Sequence, residues 1–350
     1  GSELFQEEIA LFKKEVLEGF EIIKAEVLFQ KTIPVIFYLC EKNILSNLLF
    51  ITSGSEKHLE ALKSNHKFNI LEIFDSEASI YKSMDLPYFI PELREGKFEF
   101  DLAQKNGLSS LVEEKDLKGI LHNHSTYSDG NDTLKDMALY CKELGYEYLG
   151  ICDHSKSAFY ANGLKEDRII QQHQEIEKLN KELAPFKVFK GIESDILSSG
   201  ELDYSDDVLN TFDFIVASVH SNLRMDEEKA TTRLIKAIEN KYTTILGHPT
   251  GRLLLSRPGY PIDHKKVIDA CSANEVVIEL NANPYRLDID WRWIQYAMEK
   301  GVMISINPDA HRKEGYHDMH FGVGAARKGG LTKKMTFNAF SLEEIALKFF

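Results

Sequence analysis

Beyond Leu117, seven short apolar runs follow one another to the end of the chain: GILHNH, YLGICDHS, VFKGIESDI, FIVASVHS, TILGHP, VVIELNANP and MISINPDAH. Helix-like stretches such as LKDMALYCKELG and IIQQHQEIEKLNKEL separate them. This alternation constrains the fold more than any other feature. Repeated strand-then-helix units within one domain demand a parallel sheet, and the span from residue 117 to 350 suits a closed barrel. The fold class read from it is α/β, a distorted seven-stranded (β/α)7 relative of the TIM barrel. The alternative is an open doubly wound sheet, which the lack of a GxGxxG turn after the first strand disfavours.

The first third reads differently. From Glu3 to about Val27, Phe5, Ile9, Phe12, Val16 and Phe20 recur every three or four residues among charges, which predicts an amphipathic helix. Thr32 to Leu39 and Leu48 to Thr52 read as strands, and EKHLEALKS as a helix after the SGS that ends the second strand. Residues 1–84 would form a small α+β domain. The sequence LPYFIPELREGKFEFDLAQKNGLSSLVEEKDLKG mixes prolines, glycines and charges without steady period, so residues 85–116 are expected to be a linker.

Six of the seven apolar runs finish in side chains that bind metals. His122 and His124 end the first, His154 the second, Glu193 the third, His220 the fourth, His248 the fifth, and Asp309 and His311 the seventh. The C-terminal ends of parallel barrel strands converge on one mouth, so these residues are expected to meet there. Residues i and i+2 of a strand share a face, which lets His122 and His124 grip one ion from one edge and Asp309 and His311 from another. Asp129 adds an oxygen ligand from the first loop, and Gly130 permits its turn. A single histidine at a strand end is more often structural, but six histidines and three carboxylates at one end of successive strands are not explained that way. His58, His66, His173, His264, His317 and His320 lack such placement and read as structural or surface residues.

Nine ligands exceed the needs of one tetrahedral ion, so two to three divalent ions are implied. Imidazole and carboxylate together suit Zn, Mn or Fe. Clustered ions bring the pKa of a bridging water near 7 and clamp a phosphoryl group, so phosphoester hydrolysis is the natural chemistry.

A net charge of -13 argues against a broad duplex-binding surface. A local footprint could come from Arg312, Lys313, Arg327, Lys328, Lys333 and Lys334. No run approaches the roughly 18–20 apolar residues of a membrane span, and a cytoplasmic location with no membrane partner is expected. Cys40, Cys141, Cys152 and Cys271 stand apart without a CxxC pair, as core thiols do. Gly1 and Ser2 have the look of a cloning remnant, so a longer natural protein is expected.

The motifs LHNHSTYSDG, ICDHS, GIES, SVHS, LGHP and PDAH, in this order, resemble those of the PHP domain, named for polymerase and histidinol phosphatase. The resemblance spans about residues 117–350 and covers all nine positions. It implies that His122, His124, Asp129, His154, Glu193, His220, His248, Asp309 and His311 hold a trinuclear centre in which Glu193 bridges two ions. Arg286, in ELNANPYR, sits where a phosphate-binding arginine would serve.

FITSGSEKHLEALKS and LPYFIPELREGKFEFDLAQ are similar to the end of the palm and the thumb of bacterial family X DNA polymerases, which carry a PHP domain after the thumb. That resemblance implies a 3′ to 5′ exonuclease or 3′-end processing activity on DNA, by attack of a metal-bound hydroxide on phosphorus. TIPVIFYL carries Val35 where the last catalytic carboxylate of a polymerase would stand, and no DxD pair precedes it, so no polymerase activity is expected of this chain.

The alternatives are a histidinol-phosphate-type phosphatase acting on a small phosphate ester and a non-catalytic accessory domain. Amidohydrolases also open with HxH, but they need a bridging lysine where Glu193 stands and have no counterpart of His154.

Overall fold

The computed structural model describes residues 12–29, 33–65, 69–105 and 107–349. The chain divides into two compact units, Gly1–Leu108 and Ser109–Phe350.

In the first unit, β1 (Lys13–Leu17), β2 (Phe20–Phe29) and β3 (Ile33–Leu39) form an antiparallel sheet in that order. A hairpin therefore replaces the described part of the helix expected up to Val27. Glu18 and Gly19 take φ of 51° and 92°, the paired left-handed conformation of a two-residue hairpin turn, and Leu17 pairs with Phe20 across it. At the start of β2 burial alternates: Phe20 and Ile22 are covered, while Glu21 and Ile23 are not. Phe12 and Val16, which suggested a helical stripe, are exposed. Phe5, Ile9, Thr32 and His66 lie outside the described residues.

A second correction concerns Leu48–Thr52, which lies in a helix, α1 (Leu45–Ser53), and not in a strand. A short apolar run fits a buried helix as well as a strand. The hydroxyls of Thr52 and Ser53 donate to the carbonyls of Leu48 and Leu49 one turn back. EKHLEALKS falls within α2 (Glu56–Asn65), followed by α3 (Glu77–Ser83) and α4 (Glu99–Gln104).

The stretch expected to link domains is divided between the two units, and its part up to Leu108 contributes to this one's core. Phe89 and Leu93 are buried, and Phe100 packs on the Phe50–Tyr81–Phe89 cluster. Arg94 is buried as well, donating to the Phe89 carbonyl and to Glu77 Oε1 at 2.5 Å. His58 bridges Glu99 and Tyr81 in the same interior, as a structural histidine would.

The second unit holds seven parallel strands: β4 (Gly119–Leu121), β5 (Tyr148–Ile151), β6 (Lys187–Asp195), β7 (Phe214–Ser218), β8 (Ile245–Leu246), β9 (Val277–Asn281) and β10 (Ile304–Asn307). They pair in sequence order from β4 to β10. Asn123 bridges Ala310 in parallel, and His124 N donates to Ala310 O at 2.8 Å, so the sheet nearly closes. Between strands run α5 (Leu134–Glu143), α6 (Glu166–Leu183), α7 (Asp206–Leu209), α8 (Glu227–Ile238), α9 (His264–Ala273) and α10 (Ile294–Glu299). After β10 come α11 (Met319–Lys328) and α12 (Leu342–Phe349).

Most strands are buried on both faces, which is why they read as apolar runs without alternation. Ile120, Leu149, Val188, Ile215 and Ile278 face the helices. Leu121, Tyr148, Phe189, Phe214, Ile245 and Val277 fill the interior with Phe337 and Ile345. Above that plug the inward positions turn polar, from Glu193 to Glu279 and Asn307, and the site begins there.

Candidate metal centre

Glu193 stands at the centre of the barrel mouth. Its Oε1 lies 3.0 Å from His248 Nε2, 3.2 Å from His220 Nε2 and 3.3 Å from His122 Nε2. Its Oε2 lies 3.0 Å from His154 Nδ1 and 3.6 Å from His124 Nε2. One carboxylate thus faces five imidazoles from four strands.

The ladder continues past the regular strands to bring them together: Glu193 N donates to Asp153 O, and Ser155 N to Glu193 O. Asp309 Oδ1 lies 3.0 Å from His124 Nε2, and Asp129 Oδ1 lies 3.4 Å from His311 Nε2. Three groupings with metal-binding reach result: His124–Asp129–His154–His311, His122–His124–Asp309, and His154–Glu193–His220. All nine residues singled out in the sequence therefore meet at one mouth. Arg286 joins them, its Nε 3.5 Å from Asp309 Oδ2.

Local backbone conformation serves this convergence. His122 and Asp309 take φ of 132° and 52°, a region L-residues enter at a cost and one that clusters at functional sites. Gly130 is needed for close approach, since a Cβ there would stand 2.6 Å from the His124 carbonyl oxygen.

The electrostatics favour positive charge at the centre. Burial works against ionisation of Glu193, but His220, His122 and His154 outweigh it and hold the carboxyl well below its ordinary range. Burial is likewise overcome at Asp309, chiefly by His122 and His124. At His122 burial opposes protonation, yet Glu279, Glu193 and Asp309 raise its pKa well above the usual 6.5. His220 is raised against burial to about 10 by Glu193 and Asp195, and His311 to about 9 by Asp129 and Asp309. His124 goes the other way, to about 3, through burial and the neighbouring His311 and His154.

The donor set fits divalent ions. His122 Nε2, His154 Nδ1 and Glu193 Oε2 are buried and make no hydrogen bond, although the last two stand 3.0 Å apart. A buried unpaired polar atom costs about 1–3 kcal/mol, which coordination would offset. The chemistry is imidazole and carboxylate throughout, and all four cysteines are free thiols, three of them buried.

Sequence reasoning missed the side chains that orient the candidate ligands. His122 Nδ1 donates to Glu279 Oε2 at 2.6 Å, and Asn307 and Asn281 donate to the same carboxylate. His220 Nδ1 donates to Asp195 Oδ1 at 2.5 Å. Asp153 accepts from the amides and hydroxyls of Ser125 and Ser128 and from Gln172, fixing the loop that carries Asp129. Such partners set ring orientation and ligand basicity. The available signal was a carboxylate inside an apolar strand, as in VVIELNANP.

Three of the six residues in the basic run are engaged within the barrel unit, while Arg312 and Lys334 are exposed. Lys333 pairs with Asp116 at 3.0 Å, Lys328 lies over the Trp291 ring, and Arg327 donates to the Val112 carbonyl. Among the described residues no helix is long and apolar enough to cross a membrane.

Comparison with known proteins accords with this geometry. DNA polymerase/3'-5' exonuclease PolX of Bacillus subtilis (strain 168) is 42% identical over 275 residues, covering 79% of this chain and 48% of PolX. The chain thus spans about half the length of that relative. A "Probable phosphatase" of Acetivibrio thermocellus is 29% identical over 203 residues, covering 54% of this chain and 78% of its own. Among solved structures, histidinol phosphate phosphatase from Lactococcus lactis, complexed with zinc, L-histidinol and phosphate, matches with a TM-score of 0.49 and 17% identity, over 61% of this chain and 94% of that one. Residues 121–307, more than half of the sequence, match the PHP domain, and the chain belongs to the PHP domain family.

Proposed function

We propose that this chain, a metal-dependent phosphoesterase, removes nucleotides from the 3′ end of DNA, with two to three Zn, Mn or Fe ions at the barrel mouth. The observation that carries the reading is Glu193 facing five imidazoles, with Arg286 beside Asp309. The likeness to PolX supports DNA as the substrate.

His122, His124, Asp129, His154, Glu193, His220, His248, Asp309 and His311 would hold the ions, with Glu193 at the centre of the set. Bound there, the ions supply Lewis acidity towards phosphate and an acidified water. The chain's own residues do the rest. Arg286 offers a guanidinium to the phosphate oxygens in the planar, charge-assisted manner suited to phosphate. Glu279 and Asp195 hold the His122 and His220 rings in one tautomer. The buried floor beneath Glu193 keeps water access to the mouth alone.

A second reading, hydrolysis of a small phosphate ester, is favoured by the net charge of -13, which opposes polyanion binding. Purified protein with Mn²⁺ is assayed in parallel against a 5′-labelled single strand and histidinol phosphate. Stepwise shortening from the 3′ end with little phosphate release from histidinol phosphate is expected. The reverse ranking would overturn the DNA assignment.

A further inference from the structure

Beside the metal centre, two aromatic rings face solvent on a loop that is otherwise tightly held. Phe159 is 84% exposed and Tyr160 70%, although Ala158, Ala161 and Leu164 around them are buried. The Tyr160 ring stands 6.0 Å from the His154 ring, centroid to centroid, with the planes at 62°.

The loop is anchored on both sides of the aromatic pair. Leu164 N donates to His154 O, Gly163 N to Ala158 O, and Ala161 N to Ala158 O. Ser157 N donates to Asp203 Oδ2, and Ser157 Oγ to Asp195 Oδ2. Asp195 is the carboxylate that receives His220, so the loop is tied to the same frame as the candidate ligands. Tyr204 adds a hydrogen bond from its hydroxyl to the Leu164 carbonyl.

Single exposed apolar side chains need no explanation. An adjacent aromatic pair on an anchored loop, one ring against a candidate ligand, is a preorganised flat surface. Preorganised rings bind planar partners at little ordering cost. A phosphodiester at the metal centre carries a base one sugar away, and every base presents a π-face, so stacking there tolerates any sequence.

We propose that Tyr160 is the platform on which the 3′-terminal base stacks, with Phe159 extending the apolar surface. This rests on the DNA-end reading above, and it makes an unpaired 3′ terminus the preferred substrate, because a base held in a duplex cannot offer its face.

The test uses the full chain and a single strand ending in 2-aminopurine, whose emission is quenched by stacking. In EDTA the wild type and Tyr160→Phe should quench it on binding, and Tyr160→Ala should not. With Mn²⁺, the wild type should prefer a 3′-terminal nucleotide over a tetrahydrofuran abasic end by roughly 5- to 150-fold, the range of base–aromatic stacking. Tyr160→Ala should erase that preference and Tyr160→Phe restore it. Equal losses on both ends would show a structural role and overturn the platform while leaving exonuclease activity intact. A wild type that neither binds nor shortens the strand, yet hydrolyses a small phosphate ester, would remove the platform and the DNA reading together.

Discussion

His122 Nδ1 donates to Glu279 Oε2 across 2.6 Å, joining the first strand of the barrel to the sixth beneath the candidate metal centre. Both side chains are fully buried, and Asn281, Asn307 and the His248 amide complete the carboxylate's hydrogen bonds. Glu279→Gln keeps the shape but weakens the acceptor that fixes the His122 tautomer. Affinity for Mn²⁺ or Zn²⁺, measured against a competing chelator, should fall roughly 10- to 100-fold. Unchanged affinity would mean that Glu279 only fills space.

The three groupings at the barrel mouth, one of which includes Glu193, make the proposed metal content measurable. Elemental analysis after gentle purification should find two to three ions per chain, on the basis of about four ligands per ion. Both tryptophans, Trp291 and Trp293, belong to the barrel unit, so their emission follows its unfolding alone. Reloading stripped protein should raise the unfolding midpoint, since each site at a hundred times its Kd adds about 2.7 kcal/mol. A ratio of one ion or fewer after reloading would exclude the cluster.

Asp153 offers a test of the loop that carries Asp129. It accepts five hydrogen bonds within the barrel, from two amides, two hydroxyls and Gln172. Burial pushes its carboxyl pKa up, while the Ser128 and Ser125 hydroxyls counter that rise. Hydrogen bonds to a charged group are worth about 1.5–3 kcal/mol each, so Asp153→Ala should destabilise the barrel by roughly 3 kcal/mol or more. Tryptophan-monitored urea unfolding checks this. A shift below about 1 kcal/mol would show that the donors find other partners.

The barrel and its nine candidate ligands were legible because strand ends in a parallel barrel converge, and His, Asp and Glu mark those ends from His122 to His311. Glu279 and Asp195 were not, because their role depends on which ring nitrogen each contacts, and spacing carries no trace of that. The first unit failed for a different reason. Phe12, Val16 and Phe20 mimic a helical stripe, whereas the deciding residues are Glu18 and Gly19 in the turn. In LLFIT the run is too short for period to separate a strand from α1. The contacts of Lys333, Lys328 and Arg327 near the C-terminus were not legible because their partners, Asp116, Trp291 and the Val112 carbonyl, are distant in sequence or lack charge.

Polymerase activity should be absent from this chain. The described strand β3 offers Ile33, Pro34, Val35, Ile36, Phe37, Tyr38 and Leu39, with no carboxylate among them. Two-metal nucleotide transfer needs such oxygens to hold its ions. A primer–template incubated with Mg²⁺ or Mn²⁺ and all four nucleotides should not be extended. Extension that persists after repurification, and is retained when Glu193 is replaced, would place a second metal site in the first unit.

Salt offers the last discrimination between a DNA end and a small ester. With the basic run partly engaged in internal contacts and a net charge of -13, only a few phosphates are expected to be touched beyond the metal centre. For single strands the logarithm of affinity falls by about 0.7 per contacted phosphate per decade of salt. Two to four contacts would then give a slope between about -1.4 and -2.8. The value is read from anisotropy titrations of a labelled single strand at several KCl concentrations. Arg286→Ala should make that slope shallower by about 0.7 if the guanidinium meets a DNA phosphate. An unchanged slope in a variant that binds more weakly would assign Arg286 to holding Asp309 and not to the substrate.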